Sequence, residues 1–381
     1  MATAAEVAKG LCLRIIRYYP RAWKGDGGIR NSVCHIAAAS ARSGADLSVA
    51  IEDDAVPPPG DSFRWIPLRH SGPHRFRRPC GLEAHLQGAD LLVLHSGWVY
   101  HNAFAASVAT RMGVPYVLEP RGAYHPSFFN RRRLLKSLWW TMFERKLVQA
   151  ATAVHVFFED ERESLRSIGY DGPTIAAFNG VSVPEQARWD GGSGGYLLWI
   201  GRFDPQCKGL DLLLQAMKLL PPSQRPPLRM HGSDWNGGKG RVVELVEALE
   251  LGADVHIGDA VHGDRKWQLI RRAAAFAYPS RWEAFGNSAA EAVAAGVPTL
   301  VTPYPLGNWL YSRGAATQAR ATPEALAEGV RAVLSPAAAE RAARGQRLLE
   351  AELSWDAVAR SWLRQAEEVV AARSAPSRSE R

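Results

Sequence analysis

Two glutamates in the segment PSRWEAFGNSAAEAVAAGVPTLVT, residues 279–302, have the type and spacing to do chemistry. Glu283 precedes a Phe-Gly pair in a predicted turn. Glu291 lies in an alanine-rich run that ends at Gly296 and Pro298, which is typical of a helix. The N-terminus of such a helix favours anions, so a carboxylate beside it is better matched to a neutral polyol or to a developing positive charge. We therefore predict that Glu283 contacts a group of one of these two kinds.

Glu291 has a second interpretation, which is structural. With Ser288 it fits the S-x-x-E pattern of a capping box, in which the glutamate accepts a hydrogen bond from the N–H of the cap residue. The spacing alone leaves both interpretations open, a helix cap and a ligand-binding carboxylate.

Two basic residues follow another predicted strand. Arg202 ends the run YLLWIGR, and Lys208 opens the next predicted helix six residues later. Two cations across a short loop suit a diphosphate, which needs its charge neutralised when it becomes a leaving group. The alternative is a pair of solvated surface charges, because basic residues are common in such loops.

The first half of the chain offers weaker candidates. Gly27 and Gly28 precede a helix of small residues, so the backbone there can approach an anion, although an ordinary tight turn is the alternative. Arg121 follows the run PYVLEP and brings a fixed charge to the end of a strand. Single histidines are more often structural than catalytic, so we rank three below Arg121: His95, His101 and His125.

The elements that must position these residues follow from alternating apolar runs and helix-length segments. The runs are LCLRIIRYY, DLSVAIE, DLLVLH, PYVLEP, TAVHVF and TIAAF before residue 180, and YLLWIGR, PLRMHG, ADVHIG, AAFAYPS and PTLVT after it. This alternation predicts α/β domains with parallel sheets. Ligands of such sheets bind at the carboxyl ends of the strands, where the candidates lie.

Length and composition limit the domain organisation and the class of protein. A chain of 381 residues exceeds the roughly 250 to 300 at which single cores stop growing, so we expect two domains. The Gly- and Ser-containing segment 183–195 predicts the linker between them. No apolar run approaches the roughly 18 residues of a membrane span, and MATAAEVAKG does not resemble a secretory signal, so we expect a cytoplasmic protein.

Cysteine spacing and charge narrow the partners. The four cysteines are widely spaced, which predicts neither a zinc site nor a disulfide framework. Residues 111–146 carry eight basic and two acidic side chains, which indicates an anionic partner such as phosphate or lipid headgroups. No nucleic-acid-binding motif accompanies this charge, so nucleic acid is not an expected partner.

The segment 130–150 predicts an amphipathic helix. Its apolar residues are Leu134, Leu135, Leu138, Trp139, Met142 and Leu147, and its basic residues are Arg131, Arg132, Arg133, Lys136, Arg145 and Lys146. The favoured interpretation is that the apolar stripe packs on the sheet. The alternative is a helix that lies on an anionic membrane surface.

Taken in order, several motifs resemble one family. They are GRFDPQCKGLDLLLQAM, VHIGDAV, the EAFG segment with Glu283 and Glu291 eight residues apart, and LSWDAVARSWLRQAEEV. Over nearly the whole chain this order is similar to the retaining GT-B glycosyltransferases of family 4, also called glycosyl transferases group 1. The resemblance implies two Rossmann-like domains facing a central cleft, residues 1–182 and 196–355. It also implies a C-terminal helix, 356–371, that crosses back to the first domain, and we expect a disordered tail, 372–381.

The resemblance also implies an activity. A hexosyltransferase of this family moves a sugar, with retention of configuration, from a nucleotide diphosphate sugar carrying UDP or GDP. The acceptor would be a hydroxyl of a saccharide or lipid-linked molecule, in surface polysaccharide or glycolipid biosynthesis. The enzyme would need no cofactor and no metal, and would be cytoplasmic with peripheral contact to the inner, anionic membrane surface.

Roles for matching residues come from the same resemblance. Arg202 and Lys208 would bind and stabilise the departing diphosphate, Glu291 the ribose hydroxyls, and Glu283 the donor sugar. The other donor-binding residues would be Gly27, Gly28, Arg121, Phe285, Gly286, Asn287 and Ser288, and the acceptor-binding residues His95, His101 and His125. Many members have a histidine where this chain has Arg121.

Two other functions fit the same fold. A nucleotide-sugar epimerase would need acid and base groups at the second carbon of the sugar, and the EAFG glutamate with the Arg202 and Lys208 pair favours transfer instead. A non-catalytic sugar-nucleotide-binding subunit would have no need for Glu283, Arg202 and Lys208.

Overall fold

The computed structural model describes residues 13–20, 27–52, 62–126 and 133–374. The chain divides into two compact units, one formed by Met1–Gly180 with Trp355–Arg381 and the other by Val181–Ser354. Each unit is built on one large sheet whose paired strands are parallel. The predicted α/β class with two parallel-sheet domains is confirmed.

Within its described residues, the first unit contains nine strands. They are β1 (Arg14–Tyr18), β2 (Asp46–Glu52), β3 (Arg64–Leu68), β4 (His70–Ser71), β5 (Arg78–Pro79), β6 (Leu91–His95), β7 (Tyr116–Glu119), β8 (Ala153–Val156) and β9 (Thr174–Ala176). The main sheet has the order β3-β2-β1-β6-β7-β8-β9, and β4 and β5 form a separate antiparallel pair. All six apolar runs predicted in this half contain strands, whereas β3, β4 and β5 were not predicted.

Helices cover both faces of this sheet. They are α1 (Gly27–Arg42), α2 (Leu82–Leu86), α3 (Tyr100–Arg111), α4 (Arg133–Trp139), α5 (Arg145–Gln149), α6 (Glu161–Ser167) and the C-terminal helix (Trp355–Ser374). Leu82 of α2 and Leu147 of α5 belong to the core on one face, and Val33 of α1 and Trp362 of the C-terminal helix to the core on the other. Burial on both faces explains why the strands are nearly continuous apolar runs.

The C-terminal helix is fixed to the edge of the first sheet. The Gln365 side chain accepts a hydrogen bond from the Ala176 N–H and donates one to the Ala176 carbonyl, both at 2.9 Å. It thereby satisfies backbone groups of the edge strand β9. The helix continues to Ser374, three residues into the predicted tail, and residues 375–381 lie outside the described residues.

A π-helical turn, Trp140–Glu144, joins α4 to α5. Leu147 packs in the core as expected. The expectation that the whole apolar stripe packs on the sheet is wrong, because four of its residues are exposed: Leu134, Leu135, Leu138 and Met142. No helix among the described residues is both long enough and apolar enough to span a bilayer.

The second unit has six strands in one sheet. They are β10 (Leu197–Ile200), β11 (Leu228–His231), β12 (Val255–Gly258), β13 (Ala275–Tyr278), β14 (Thr299–Val301) and β15 (Thr317–Gln318), in the order β12-β11-β10-β13-β14-β15. The helices are α7 (Pro205–Lys208), α8 (Leu210–Leu219), α9 (Gly238–Ala248), α10 (Gly263–Arg272), α11 (Asn287–Ala294), α12 (Pro305–Ser312), α13 (Pro323–Val333) and α14 (Ala337–Glu352).

The segment predicted as a linker, residues 183–195, is packed onto the second unit. The Trp189 N–H donates to the Ala295 carbonyl and its indole N–H to the Ala273 carbonyl, each at 2.8 Å. Gly192 has a φ of 81°, and a Cβ there would lie 2.8 Å from Ala274 Cα. The glycines that suggested flexibility therefore permit close packing, and the two units meet in sequence at Gly180 and Val181.

Candidate functional site

The turn after β13, residues 279–286, is held against α7 and α8. The Arg281 guanidinium donates two hydrogen bonds of 2.7 Å to the Asp211 carboxylate, and the Arg281 N–H donates to the Cys207 carbonyl at 2.9 Å. Between α7 and α8, Gly209 has a φ of 63°, and a Cβ there would lie 2.0 Å from the Pro279 carbonyl oxygen. Only glycine permits this approach, which brings Lys208 beneath the turn.

Lys208 and Glu283 form a buried ion pair beneath this turn. Lys208 Nζ donates to Glu283 Oε1, and only 10% of each side chain is exposed. Nζ also donates to Tyr278 Oη at 3.2 Å, and Ser280 Oγ donates to Glu283 Oε1 at 2.7 Å. Burial and the nearby carboxylate raise the pKa of Tyr278 well above its usual value, so its phenol stays neutral.

The two predicted diphosphate ligands lie in different environments. Lys208 is buried against Glu283, whereas Arg202 is exposed, with its guanidinium carbon 4.1 Å from the centre of the Trp235 ring. Within the described part of the chain, no carboxylate lies within ion-pair distance of Arg202. Arg202 is therefore an uncompensated cation supported by an aromatic face, and Glu283, for which the sequence offered no structural role, is the partner of Lys208.

Glu291 is not part of a capping box. The N-cap of α11 is Gly286, with a φ of 102° and no side-chain cap, so Ser288 is already inside the helix. Glu291 Oε1 instead accepts a hydrogen bond of 2.6 Å from Lys266 Nζ of α10. The structural alternative for Glu291 is therefore wrong in its geometry, and the two glutamates are paired with two different lysines.

The first unit contains a buried ionic cluster at the carboxyl ends of its central strands. Glu119 Oε1 accepts a hydrogen bond of 3.0 Å from Arg17 Nη1, and Glu119 Oε2 lies 3.0 Å from His95 Nδ1 and 3.3 Å from Arg121 Nη2. The Arg17 guanidinium also lies over the Trp362 ring of the C-terminal helix, at 4.4 Å. The side chains of Arg17, His95, Glu119 and Arg121 are all less than one tenth exposed.

Burial determines which members of this cluster are charged. It lowers the pKa of His95 to about 4, and it lowers the pKa of His155, at the end of β8, to about 4 as well, so both imidazoles are neutral near pH 7. Burial alone would raise the pKa of Glu119, but His95 and the Arg17 guanidinium hold it well below its usual value. Two guanidinium ions therefore face one carboxylate.

Family models match both units. One for "Glycosyl transferase 4-like domain" covers residues 27–179, and one for "Glycosyl transferases group 1" covers residues 191–347. The chain belongs to the group 1 glycosyltransferases. No curated protein matches its sequence.

Solved structures show that this glycosyltransferase has the GT-B fold. Sucrose-phosphate synthase from Thermosynechococcus elongatus is 19% identical, with a TM-score of 0.73 over 94% of this chain and 100% of its own. HepE from Anabaena, solved in complex with UDP-glucose, is 15% identical, with a TM-score of 0.70 over 94% and 100%. WaaG, a glycosyltransferase involved in lipopolysaccharide biosynthesis, is 17% identical, with a TM-score of 0.64 over 93% and 99%.

Arg121 lies in the first unit of the glycosyltransferase with a strained backbone and a fixed side chain. Its φ of 51° is in the left-handed region, which is uncommon for a residue with a Cβ. Its guanidinium donates to Asn179 Oδ1 at 3.1 Å as well as to Glu119. Strain of this kind is found at functional sites, and the side chain is held ready in one orientation.

The other candidates in the first unit are not part of this cluster. The His101 ring packs edge-on against Tyr18, with ring centres 5.9 Å apart, and burial lowers the pKa of the half-buried His125. Gly27 and Gly28 are the first two residues of α1, and the loop before them lies outside the described residues.

Sequence reasoning missed several residues of the glycosyltransferase that hold these sites. Arg17 and Glu119 are charged residues inside apolar strands, and such an interruption is a signal that a buried partner exists. Nothing local to Lys266 indicates that it would meet Glu291. Among the described residues, no group of three His, Cys, Asp or Glu side chains could hold a metal ion.

A cavity of about 690 Å³ lies elsewhere in the second unit, between the β11–β12 edge of the sheet and α10. Arg229, His256 and Arg265 are among its lining residues, and none of the predicted site residues lines it. The candidate site is therefore identified by its ion pairs and its place at the strand ends rather than by a deep pocket.

Proposed function

We propose that this glycosyltransferase moves a hexosyl group from a nucleotide diphosphate sugar to a hydroxyl of a saccharide or lipid-linked acceptor, with retention of configuration. The buried Lys208–Glu283 pair, at the carboxyl end of β13 in the unit that matches the group 1 model, carries the proposal. The HepE structures were solved with UDP and UDP-glucose, which favours UDP over GDP as the nucleotide.

Arg202 and Lys208 would stabilise the diphosphate as it departs. Negative charge develops on the oxygen that leaves the anomeric carbon, and fixed cations lower the energy of that charge. Arg202 is exposed and free of carboxylate partners within the described part of the chain, so it can accept a phosphate without losing an ion pair. Lys208 has a third N–H to offer beyond Glu283 and Tyr278.

Glu283 would act on the sugar. Its carboxylate orients Lys208, and both of the hydrogen bonds described above end on Oε1. Oε2 is then the atom that we assign to a hydroxyl of the donor sugar. A fixed carboxylate would also stabilise the oxocarbenium-like charge of the transition state. With retention, the acceptor hydroxyl arrives on the face that the diphosphate leaves, so the departing phosphate oxygen is the base nearest to its proton.

The nucleotide would lie along α11. Glu291 accepts hydrogen bonds from the ribose hydroxyls in this proposal, and Lys266 fixes its orientation from α10. The backbone of Phe285, Gly286, Asn287 and Ser288 enters the helix N-terminus, whose dipole favours the distal phosphate.

In the first unit, Gly27, Gly28 and Arg121 would complete the donor side, and His101 and His125 would contact the acceptor. His95 is fully buried beside Glu119, so we assign it a positioning role: it helps to hold the carboxylate that orients Arg121. We propose that the reaction needs no metal and no cofactor. It would take place in the cytoplasm, at the inner face of an anionic membrane, in surface polysaccharide or glycolipid biosynthesis.

Slow donor hydrolysis is the direct test of this function. Purified protein is incubated with UDP-glucose and a panel of other UDP- and GDP-sugars, and release of the nucleotide diphosphate is measured with and without a chelator. We expect the protein to hydrolyse one class of donor, and we expect the rate to be unchanged by the chelator. The sugar first released should have the same anomeric configuration as the donor. If the protein neither bound nor turned over any donor of the panel, the proposal would be overturned. A first product of inverted configuration would overturn the proposed stereochemistry.

A further inference from the structure

One face of the α4–π–α5 helix exposes an unusual amount of apolar surface. Exposure is 88% for Leu134, 67% for Leu135, 60% for Leu138 and 56% for Met142. At about 100° of rotation per residue, these four side chains fall within roughly a quarter of the helix circumference. They form one continuous apolar stripe. Large contiguous apolar patches are rarely exposed on a protein surface unless they bind a partner.

The opposite side of the same helix is firmly packed, so the stripe is not the result of a loosely placed element. Glu144, at the end of the π turn, is fully buried and accepts hydrogen bonds from the Trp98 N–H and the Tyr124 hydroxyl, each at 2.7 Å. Its second oxygen accepts from the Trp139 indole at 3.3 Å. The rings of Trp139 and Phe143 also pack together, with centres 4.9 Å apart. The helix is therefore anchored on its inner side and exposes the leucines on its outer side.

Basic residues continue the exposed face beyond the apolar stripe. Arg145 and Lys146 are exposed and, with Thr141, Gln149 and Ala150, line a shallow depression of about 290 Å³. In the described part of the chain neither of these cations has a carboxylate within ion-pair distance. The face thus changes from apolar to cationic along one helix, as a surface would that meets acyl chains and phosphate headgroups together.

We propose that Leu134, Leu135, Leu138, Met142, Arg145 and Lys146, which we call the docking face, bind the surface of a bilayer that contains anionic phospholipids. The apolar side chains enter the boundary between headgroups and acyl chains, and Arg145 and Lys146 bind lipid phosphates. The inference rests on the proposed function only in placing the enzyme beside a membrane.

Charge favours a bilayer over a second copy of the chain. A two-fold symmetric dimer through the docking face would bring its Arg145 and Lys146 close to those of the partner, and like charges in contact are unfavourable. Two further arginines directly precede the helix in sequence, at positions 131 and 132, and Arg133 is its first residue, so the sequence at this end of the helix is strongly basic. An anionic lipid surface attracts each of these charges.

Vesicle flotation tests the docking face. The full chain is mixed with vesicles of phosphatidylcholine alone or of phosphatidylcholine with phosphatidylglycerol, and the bound fraction is measured. We expect binding to the mixed vesicles, a loss of about tenfold or more in the Leu134→Glu/Leu138→Glu variant, and a loss of the preference for anionic vesicles in Arg145→Glu/Lys146→Glu.

Leu219→Glu is the matched control, because Leu219 is also a leucine on a helix, 53% exposed, in the second unit. It should bind vesicles as the unmodified protein does. Full binding by Leu134→Glu/Leu138→Glu, or an equal loss in Leu219→Glu, would overturn the proposal. So would a dimer in light scattering that the double variant dissociates, because the face would then be a protein interface.

The outcome can be separated from that of the proposed function. Hydrolysis of a water-soluble sugar donor requires no membrane, so the docking-face variants should hydrolyse it at the unmodified rate. Vesicle binding without turnover of any donor would leave the docking face standing and overturn the function, and turnover without vesicle binding would do the reverse.

Discussion

Lys208 and Glu283 are 75 residues apart in the sequence and form a buried ion pair at the carboxyl end of β13. The pair couples the two groups to which the proposal gives opposite tasks, one on the diphosphate and one on the sugar. Burial strengthens the attraction between them but also removes both from water, so each charge depends on the other.

Removing one partner of this pair should destabilise the fold as well as slow the reaction. Because it leaves a buried charge without its counter-ion, we expect Lys208→Met or Glu283→Gln each to lower the free energy of unfolding by roughly 3 kcal/mol. The double variant should lose less than the sum of the two, with a coupling of about 1 kcal/mol or more. Urea unfolding of the four proteins measures this cycle.

Activity separates structural from chemical roles in the same four proteins. The double variant should be more stable than the sum of the two single losses implies, but it should show no donor hydrolysis, because both proposed contacts with the donor are gone. The exposed pair Lys218 and Glu250 of the same unit is the control, and its variants should show no measurable coupling and unchanged turnover. Full activity in the double variant would contradict the assigned roles.

Glu291 should act on nucleotide affinity rather than on turnover. Since hydrogen bonds to a charged group contribute about 1.5 to 3 kcal/mol, Glu291→Gln should weaken UDP binding by about tenfold or more. Lys266→Met should weaken it less, because the carboxylate remains but loses its fixed orientation. Calorimetric titration with UDP measures both, with Glu350→Gln as a control in an exposed ion pair with Arg188. If Glu291→Gln left the affinity for UDP unchanged but greatly lowered turnover, the assignment of Glu291 to the nucleotide would be contradicted.

The local sequence pattern was sufficient to predict most strands of the two main sheets, because buried parallel strands are continuous apolar runs. Strand β3, with the sequence RWIPL, was missed because it lies at the edge, is half-exposed, and contains Pro67. The prediction of a linker at 183–195 was wrong because glycine is common both in flexible linkers and where backbones pack closely. Only the contacts of Trp189 and Gly192 distinguish the two cases.

The site was predicted in its residue types but not in its pairings. Arg17 and Glu119 are 102 residues apart, so no spacing rule brings them together. The sequence at Ser288 fits the S-x-x-E pattern, but the structure has no capping box there, because α11 begins two residues earlier than a capping box requires. For the leucine stripe, amphipathic periodicity correctly predicted the helix, but periodicity does not tell which face a helix turns to its own core.

The buried histidines of the first unit should make its stability depend on pH. Burial lowers the pKa of His155 to about 4, below the value near 6.5 expected in the unfolded chain. The unfolded chain therefore binds the proton first, so stability is complete above about pH 6.5 and is lost as the pH falls towards 4. The loss is at most roughly 3 kcal/mol for this residue.

His155→Gln tests that dependence, because glutamine does not titrate and can still donate to the Ala177 carbonyl. Chemical denaturation at a series of pH values between 4 and 7 is expected to show a shallower decline for the variant than for the unmodified protein. His35→Gln, which alters an exposed histidine, should leave the decline as it is. Parallel curves for His155→Gln and the unmodified protein would mean that this histidine does not carry the effect.

Gly209 should be required for the position of Lys208. A methyl group at this residue would lie 2.0 Å from the Pro279 carbonyl oxygen, and its φ of 63° is unfavourable for any residue with a Cβ. Gly209→Ala should therefore lower the free energy of unfolding by roughly 1 to 3 kcal/mol and reduce donor hydrolysis, since the turn above Lys208 must move.

Gly240→Ala is the matched control for this strain. Gly240 lies inside α9 of the same unit, and nothing lies within 4 Å of a Cβ placed there. Because alanine favours a helix interior over glycine, this variant should gain up to about 1 kcal/mol in unfolding free energy and keep its turnover. Thermal unfolding and donor hydrolysis of the two variants, measured side by side, distinguish close approach from a general effect of adding a methyl group. Equal behaviour of Gly209→Ala and Gly240→Ala would show that the contact with Pro279 does not set the position of Lys208.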